Sequence, residues 1–116
     1  VFSGTKIKIG DEEFVLPPLS LGQLRGGLLA KLQEHDDKLA AQDVFGATII
    51  RGEVILEALR RNYPDFPEQK VFDNLDLGNT LNLWLLVLGS SGFTPGETAG
   101  AEKENPTGIS VPSTGA

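Results

Sequence analysis

Lys6-Ile7-Lys8-Ile9-Gly10-Asp11-Glu12-Glu13-Phe14-Val15-Leu16-Pro17-Pro18-Leu19-Ser20-Leu21-Gly22-Gln23-Leu24 changes its hydrophobic period half-way along. Lys6 to Ile9 alternates polar and apolar residues, the period of a half-buried strand. Gly10, Asp11 and Glu12 supply turn chemistry, and Phe14 to Leu16 returns as a second strand. Pro17 and Pro18 end that strand, because proline brings no N–H to a ladder. A two-stranded hairpin is marginal by itself. Its apolar side, drawn from Ile7, Ile9, Phe14 and Leu16, therefore needs a helix beneath it. Ser20 followed by Gln23 has the spacing of a capping box, and the period becomes helical from there.

Working outward, Leu21, Leu24, Leu28, Leu32 and Leu39 fall on one narrow helical stripe, with His35 on it. Gly26 and Gly27 lie off the stripe and mark either a close helix approach or a break. A second helix is expected over Ala47–Asn62. There Ile49, Leu56, Leu59 and Tyr63 share a face, extended by Phe45, while Ile50 and Val54 point the other way. Arg60 and Arg61 sit in its last turn, where cations complement the helix dipole, and Pro64 ends it. A short third helix follows, with Pro67 at its first position, Glu68 in its first turn and Val71, Phe72 and Leu75 as apolar contacts. Asp76 caps a fourth helix, Leu77 to Leu88, with Gly89 as its stop. That helix is apolar nearly all round, which marks it as the central core helix.

The predicted architecture is an α+β fold, mainly helical, with a short N-terminal β-hairpin packed on about four helices. Residues 1–92 form a single globular domain. From there glycine, serine, threonine, proline and alanine dominate, so 93–116 is expected to be a disordered, flexible tail. The 116 residues suit one domain. Ten basic against 16 acidic residues leave a formal charge of −6, which argues against a phosphate backbone as principal partner. Cysteine is absent, which removes disulfides, thiolate metal sites and thiol nucleophiles, and suits a reducing compartment. Val1 to Gly10 lacks the apolar run of a signal peptide, and Leu83 to Leu88 is too short to cross a bilayer.

Catalytic constellations are lacking. The single histidine, His35, lies on an apolar stripe, and Asp36 and Asp37 are adjacent in sequence, so they do not share its helix face. The same divergence weakens His35-Asp36-Asp37 as a metal site. Gly22, Gly26 and Gly27 stand within a helix and no Walker lysine follows, so they form no phosphate cradle. Gly89-Ser90-Ser91-Gly92 has the wrong spacing for a nucleophile elbow. Arg60-Arg61 could touch nucleic acid, but such a pair is more often a solvated helix end. No cofactor, no metal and no enzyme activity are expected.

Surface chemistry remains. On the fourth helix, Leu77, Leu81, Trp84 and Leu88 form the tighter stripe and are expected to face the core. Leu83, Leu86 and Val87 occupy the other side, beside Ile50 and Val54 of the second helix. These five are expected to form a partly exposed protein-binding patch, one that would also favour weak homo-oligomers.

Three segments resemble the tail assembly chaperones of long-tailed bacteriophages and prophages: Ile7 to Arg25; Ala58-Leu59-Arg60-Arg61-Asn62-Tyr63-Pro64-Asp65; and Asp76-Leu77-Gly78-Asn79 followed by an apolar helix and Ser91-Gly92. Together they span most of residues 6–92. The resemblance implies a non-catalytic helper in the host bacterial cytoplasm that binds the tape measure protein, or another tail protein, and keeps it soluble while the tail assembles. It also implies that the segment after Gly92 is where a frameshifted extension would be added. Two readings from other classes stand beside it: a structural tail-completion or head–tail connector protein of the particle, and a small nucleic-acid-binding regulator.

Overall fold

The structure, a computed structural model, describes residues 2–93. Strands β1 (Thr5–Ile9) and β2 (Glu12–Leu16) pair antiparallel around a two-residue Gly10–Asp11 turn, with Ile7 opposite Phe14 and Thr5 opposite Leu16. Opposed residues share a face, so Ile7, Ile9, Phe14 and Leu16 all lie on the inner side, as the alternation requires. Three of them are fully buried. Phe14 packs edge-to-face on Tyr63 and Phe66, at centroid distances of 5.3 and 4.9 Å.

The capping box forms as expected. Ser20 Oγ accepts from Gln23 N–H at 3.0 Å, and Gln23 Oε1 accepts from Ser20 N–H at 2.9 Å. Gln23 also donates to the Glu57 carbonyl at 2.7 Å, which ties this turn to the next long helix. Of the two options at Gly26 and Gly27, the helix takes the break. α1 (Leu21–Gln23) passes into a π-helical turn over Leu24–Leu28 and then into α2 (Leu29–Ala40). Gly27 makes the break, at φ 132° and ψ −19°, a conformation that side chains rarely tolerate. As a result only Leu28, Leu32 and His35 of the predicted stripe are fully buried, Leu24 is partly buried, and Leu21 and Leu39 are exposed.

α2 closes with a Schellman motif: Gln42 N–H donates to the Leu39 carbonyl at 2.9 Å and Asp43 N–H to the Lys38 carbonyl at 2.8 Å. Asp43 then caps α3 (Val44–Arg60) by accepting from Gly46 N–H at 2.9 Å, so this helix starts three residues before the predicted Ala47. α3, rather than the fourth predicted helix, is the central one. It packs on α2, β2, α4 (Glu68–Asn74) and α5 (Leu77–Ser90). Its middle is buried on all sides but the one carrying Ile49, Glu53 and Glu57, and Gly52 permits close packing on another, since a Cβ there would stand 2.8 Å from the Phe72 ring. Phe45 does not extend the inner face; it is 70% exposed.

Asp76 caps α5, accepting from Asn79 N–H at 2.8 Å. The helix runs past Gly89 to Ser90 and is closed at Gly92, where φ is 98°. Phe93 N–H donates to the Leu88 carbonyl at 2.8 Å, and the Phe93 ring packs on the core. The domain therefore includes Phe93, one residue beyond the expected boundary. The rest of the expected tail lies outside the described residues.

Gln42 holds φ 61°, the left-handed value that glycine adopts without a Cβ penalty. Gln42→Gly is expected to raise stability by about 1 kcal/mol, read as a higher urea midpoint with an unchanged slope.

Candidate functional site

The rotation of α5 decides which of its side chains can meet a partner. Three side chains from three helices meet beneath it. The Trp84 indole stacks on the His35 imidazole at 4.3 Å between centroids, and Arg51 Nε donates to His35 Nε2 at 2.9 Å. All three residues are buried. Because Nε2 accepts, Nδ1 carries the proton and donates to Asp36 Oδ1 at 3.1 Å. Burial lowers the His35 pKa; Asp36 opposes that shift and the Arg51 charge adds to it. His35 is thus a neutral linker in a polar core, with no open face toward a substrate.

With Trp84 fixed inward, Thr80, Leu83, Val87 and Leu88 are buried with it. Thr80 can occupy this face because its hydroxyl donates back to its own helix, 2.9 Å from the Asp76 carbonyl and 3.0 Å from that of Leu77. The predicted partner patch is corrected accordingly. Leu83 is 8% exposed, Val87 0%, Ile50 5% and Val54 0%, so these four belong to the core. Of the five, only Leu86 is open to solvent. The predicted core stripe divides in the same way: Trp84 and Leu88 are inside, whereas Leu77 and Leu81 are outside.

The outer face of α5 carries Leu77, Leu81 and Leu85 at successive four-residue steps and Leu86 beyond them, with Gly78, Asn79, Asn82 and Gly89 exposed among these leucines. Leu77 is 58% exposed and the other three 41–48%. No charged residue occurs anywhere in the helix. The sequence pattern missed Leu85, since an all-round apolar helix offers no contrast from which to choose a face.

The remaining sequence candidates are occupied within the fold. Arg60 Nε donates to the Phe66 carbonyl at 3.0 Å. Arg61 Nη1 donates to the Pro18 carbonyl at 2.8 Å, and its guanidinium lies over the Phe2 ring at 3.8 Å. Both arginines act as internal ties. Among the described residues no His, Cys, Asp and Glu side chains group so as to hold a metal ion, and no helix is long and apolar enough to cross a membrane. No protein-family model, curated protein or solved structure matches this chain.

Two measurements check this geometry. Leu83→Ala is expected to cost about 2–4 kcal/mol, as for a buried leucine, while Leu81→Ser, at a half-buried position, costs only about 1 kcal/mol in urea unfolding. The lowered His35 pKa fixes the sign of a pH effect. As pH falls below the ordinary histidine value near 6.5, the unfolded chain takes a proton that the folded chain refuses, so stability is lost. Urea midpoints at pH of about 7.5 and 5.5 should show that loss, and His35→Gln should reduce the difference.

Proposed function

We propose that this chain is a non-catalytic tail assembly chaperone of a long-tailed bacteriophage or prophage. It binds the tape measure protein in the host bacterial cytoplasm and keeps it soluble while the tail assembles. The observation that carries this reading is the uncharged outer face of α5, where Leu77, Leu81, Leu85 and Leu86 stand in solvent on a small acidic domain. An exposed apolar face of this kind fits a partner site. A long amphipathic client helix is the shape that such a face accepts. The hairpin, the Ser20 capping box and the Asp76-capped apolar helix stand in the order that carries the resemblance to these chaperones. They also support a role without chemistry, because the titratable core group His35 is enclosed by Trp84, Arg51 and Asp36.

Leu77, Leu81, Leu85 and Leu86 are the contact residues in this reading. They replace Leu83, Val87, Ile50 and Val54, which hold the core. Co-expression of the tagged chain with the neighbouring tail genes should recover the tape measure protein in a pull-down. The double variant Leu81→Lys/Leu85→Lys should lose that client while keeping its thermal midpoint. Failure to recover any tape measure protein, together with stoichiometric presence of the chain in purified particles, would assign it to the connector class instead.

A further inference from the structure

The N-terminal end of α5 shares one end of the domain with other exposed apolar side chains. His35, Arg51 and Trp84 meet at one level of α2, α3 and α5. The C-terminal ends of α3 and α5 also lie together, since Arg61 reaches the Pro18 carbonyl and Ser91 Oγ accepts from Leu19 N–H at 2.8 Å. α3 and α5 therefore run in the same direction, and α2 runs opposite to both. It follows that the C-terminal end of α2 and the N-terminal ends of α3 and α5 share one end of the domain, away from the Pro17–Pro18 corner. Exposed apolar side chains collect there: Leu39, Val44 and Phe45 from the α2–α3 turn, with Leu77 and Leu81 from α5.

The charges at that end have one dominant sign. Segments 36–46 and 73–86 hold Asp36, Asp37, Asp43, Asp73 and Asp76 against one base, Lys38. Asp36 is engaged by His35, and Lys38 lies 3.7 Å from Asp43 in an open surface pair. Asp37, Asp43, Asp73 and Asp76 are exposed. A second copy docking here would bring acidic rim against acidic rim, on chains that already carry −6. An acidic client would meet the same repulsion.

We infer that this end selects an amphipathic helix with lysine or arginine flanking its apolar stripe. Phe45 and the α5 leucines take the stripe, and Asp43, Asp73 and Asp76 face the basic flanks. Charge complementarity would then supply register and selectivity, and the apolar contacts the affinity. This deepens the chaperone proposal and rests on α5 as the docking face.

The test titrates the full chain with two synthetic amphipathic helices of about 18 residues, one Leu/Lys and one Leu/Glu. The Leu/Lys helix should bind at least about tenfold more tightly, and its affinity should fall with added salt. Phe45→Asp should weaken it by about tenfold or more. The triple variant Asp43→Asn/Asp73→Asn/Asp76→Asn keeps both helix caps, because asparagine caps as well as aspartate. It should lose the salt dependence and the preference for lysine while its thermal midpoint holds. Equal binding of the two peptides, unchanged binding by Phe45→Asp, or dimerisation of the chain through this end would each overturn the inference. The chaperone proposal fails separately. Peptide selectivity without capture of the tape measure protein sinks that proposal alone. Capture without charge dependence sinks this inference alone.

Discussion

The stacking of Trp84 on His35 sets the arrangement of the three long helices. An indole over an imidazole at 4.3 Å leaves α5 little freedom to rotate about its axis, and Arg51 holds the imidazole at its Nε2 edge at 2.9 Å. A helix with leucines on several sides could otherwise pack in more than one rotation at similar gain. The buried polar chain of Asp36, His35 and Arg51 removes that choice, because each donor meets its acceptor in only one arrangement, and an unmet buried donor or acceptor costs about 1–3 kcal/mol. The polar core thus specifies which leucines are spent on stability and which remain outside.

A second constraint acts at the opposite end of the helices. Pro17 to Leu19 form a corner whose backbone is engaged from two sides: Arg61 donates to the Pro18 carbonyl, and Leu19 N–H donates to Ser91 Oγ. Tyr63 Oη accepts from Val15 N–H at 2.9 Å and holds β2 to the end of α3. Isolated, the hairpin would be marginal. Here its inner face is covered by α3, α4 and the Tyr63 and Phe66 rings, and its turn region is tied to α4 by the ion pair between Lys70 and Glu12. These ties fix the C-terminal end of α3 to the hairpin and the proline corner, while Val44 and Phe45 at its other end stay exposed.

How much of this was legible depended on contrast in the sequence. The hairpin, the Ser20–Gln23 capping box and the Asp76 cap are marked by residue types with one strong local use, and they form where the pattern puts them. The Gly26-Gly27 pair announced a break or a close approach, and the backbone at Gly27 takes the first option. The face of α5 was not legible. Its inner stripe includes Thr80, a polar residue whose hydroxyl is satisfied within the helix, and its outer side mixes Asn79 and Asn82 with four leucines, so polarity did not separate the two. Arg51 was equally hidden. A basic residue in an apolar register signifies little until its acceptor, His35, is known to stand across from it. Ile50 and Val54 were misplaced because α3 packs on α2, β2, α4 and α5 at once, a tertiary fact that periodicity within one helix does not contain.

The exposed leucines also bound how the proposed chaperone could work. Burying a leucine side chain completely is worth about 1.5–3 kcal/mol. Leu77, Leu81, Leu85 and Leu86 are already about half buried in the free domain. Covering the rest of all four therefore yields only about 3–6 kcal/mol. Association itself costs about 4–15 kcal/mol in lost translational and rotational freedom. The α5 face alone is thus too small for tight binding, and a client contact must also recruit the Phe45 end or act in numbers. A long helical client offers many successive turns of similar chemistry. Several copies along one such client would each contribute a weak, fast-exchanging contact. Their shared net charge of −6 would keep neighbouring copies from fusing into an aggregate. Weak single contacts suit the proposed transient holder, from which each copy would have to leave as its client is taken up.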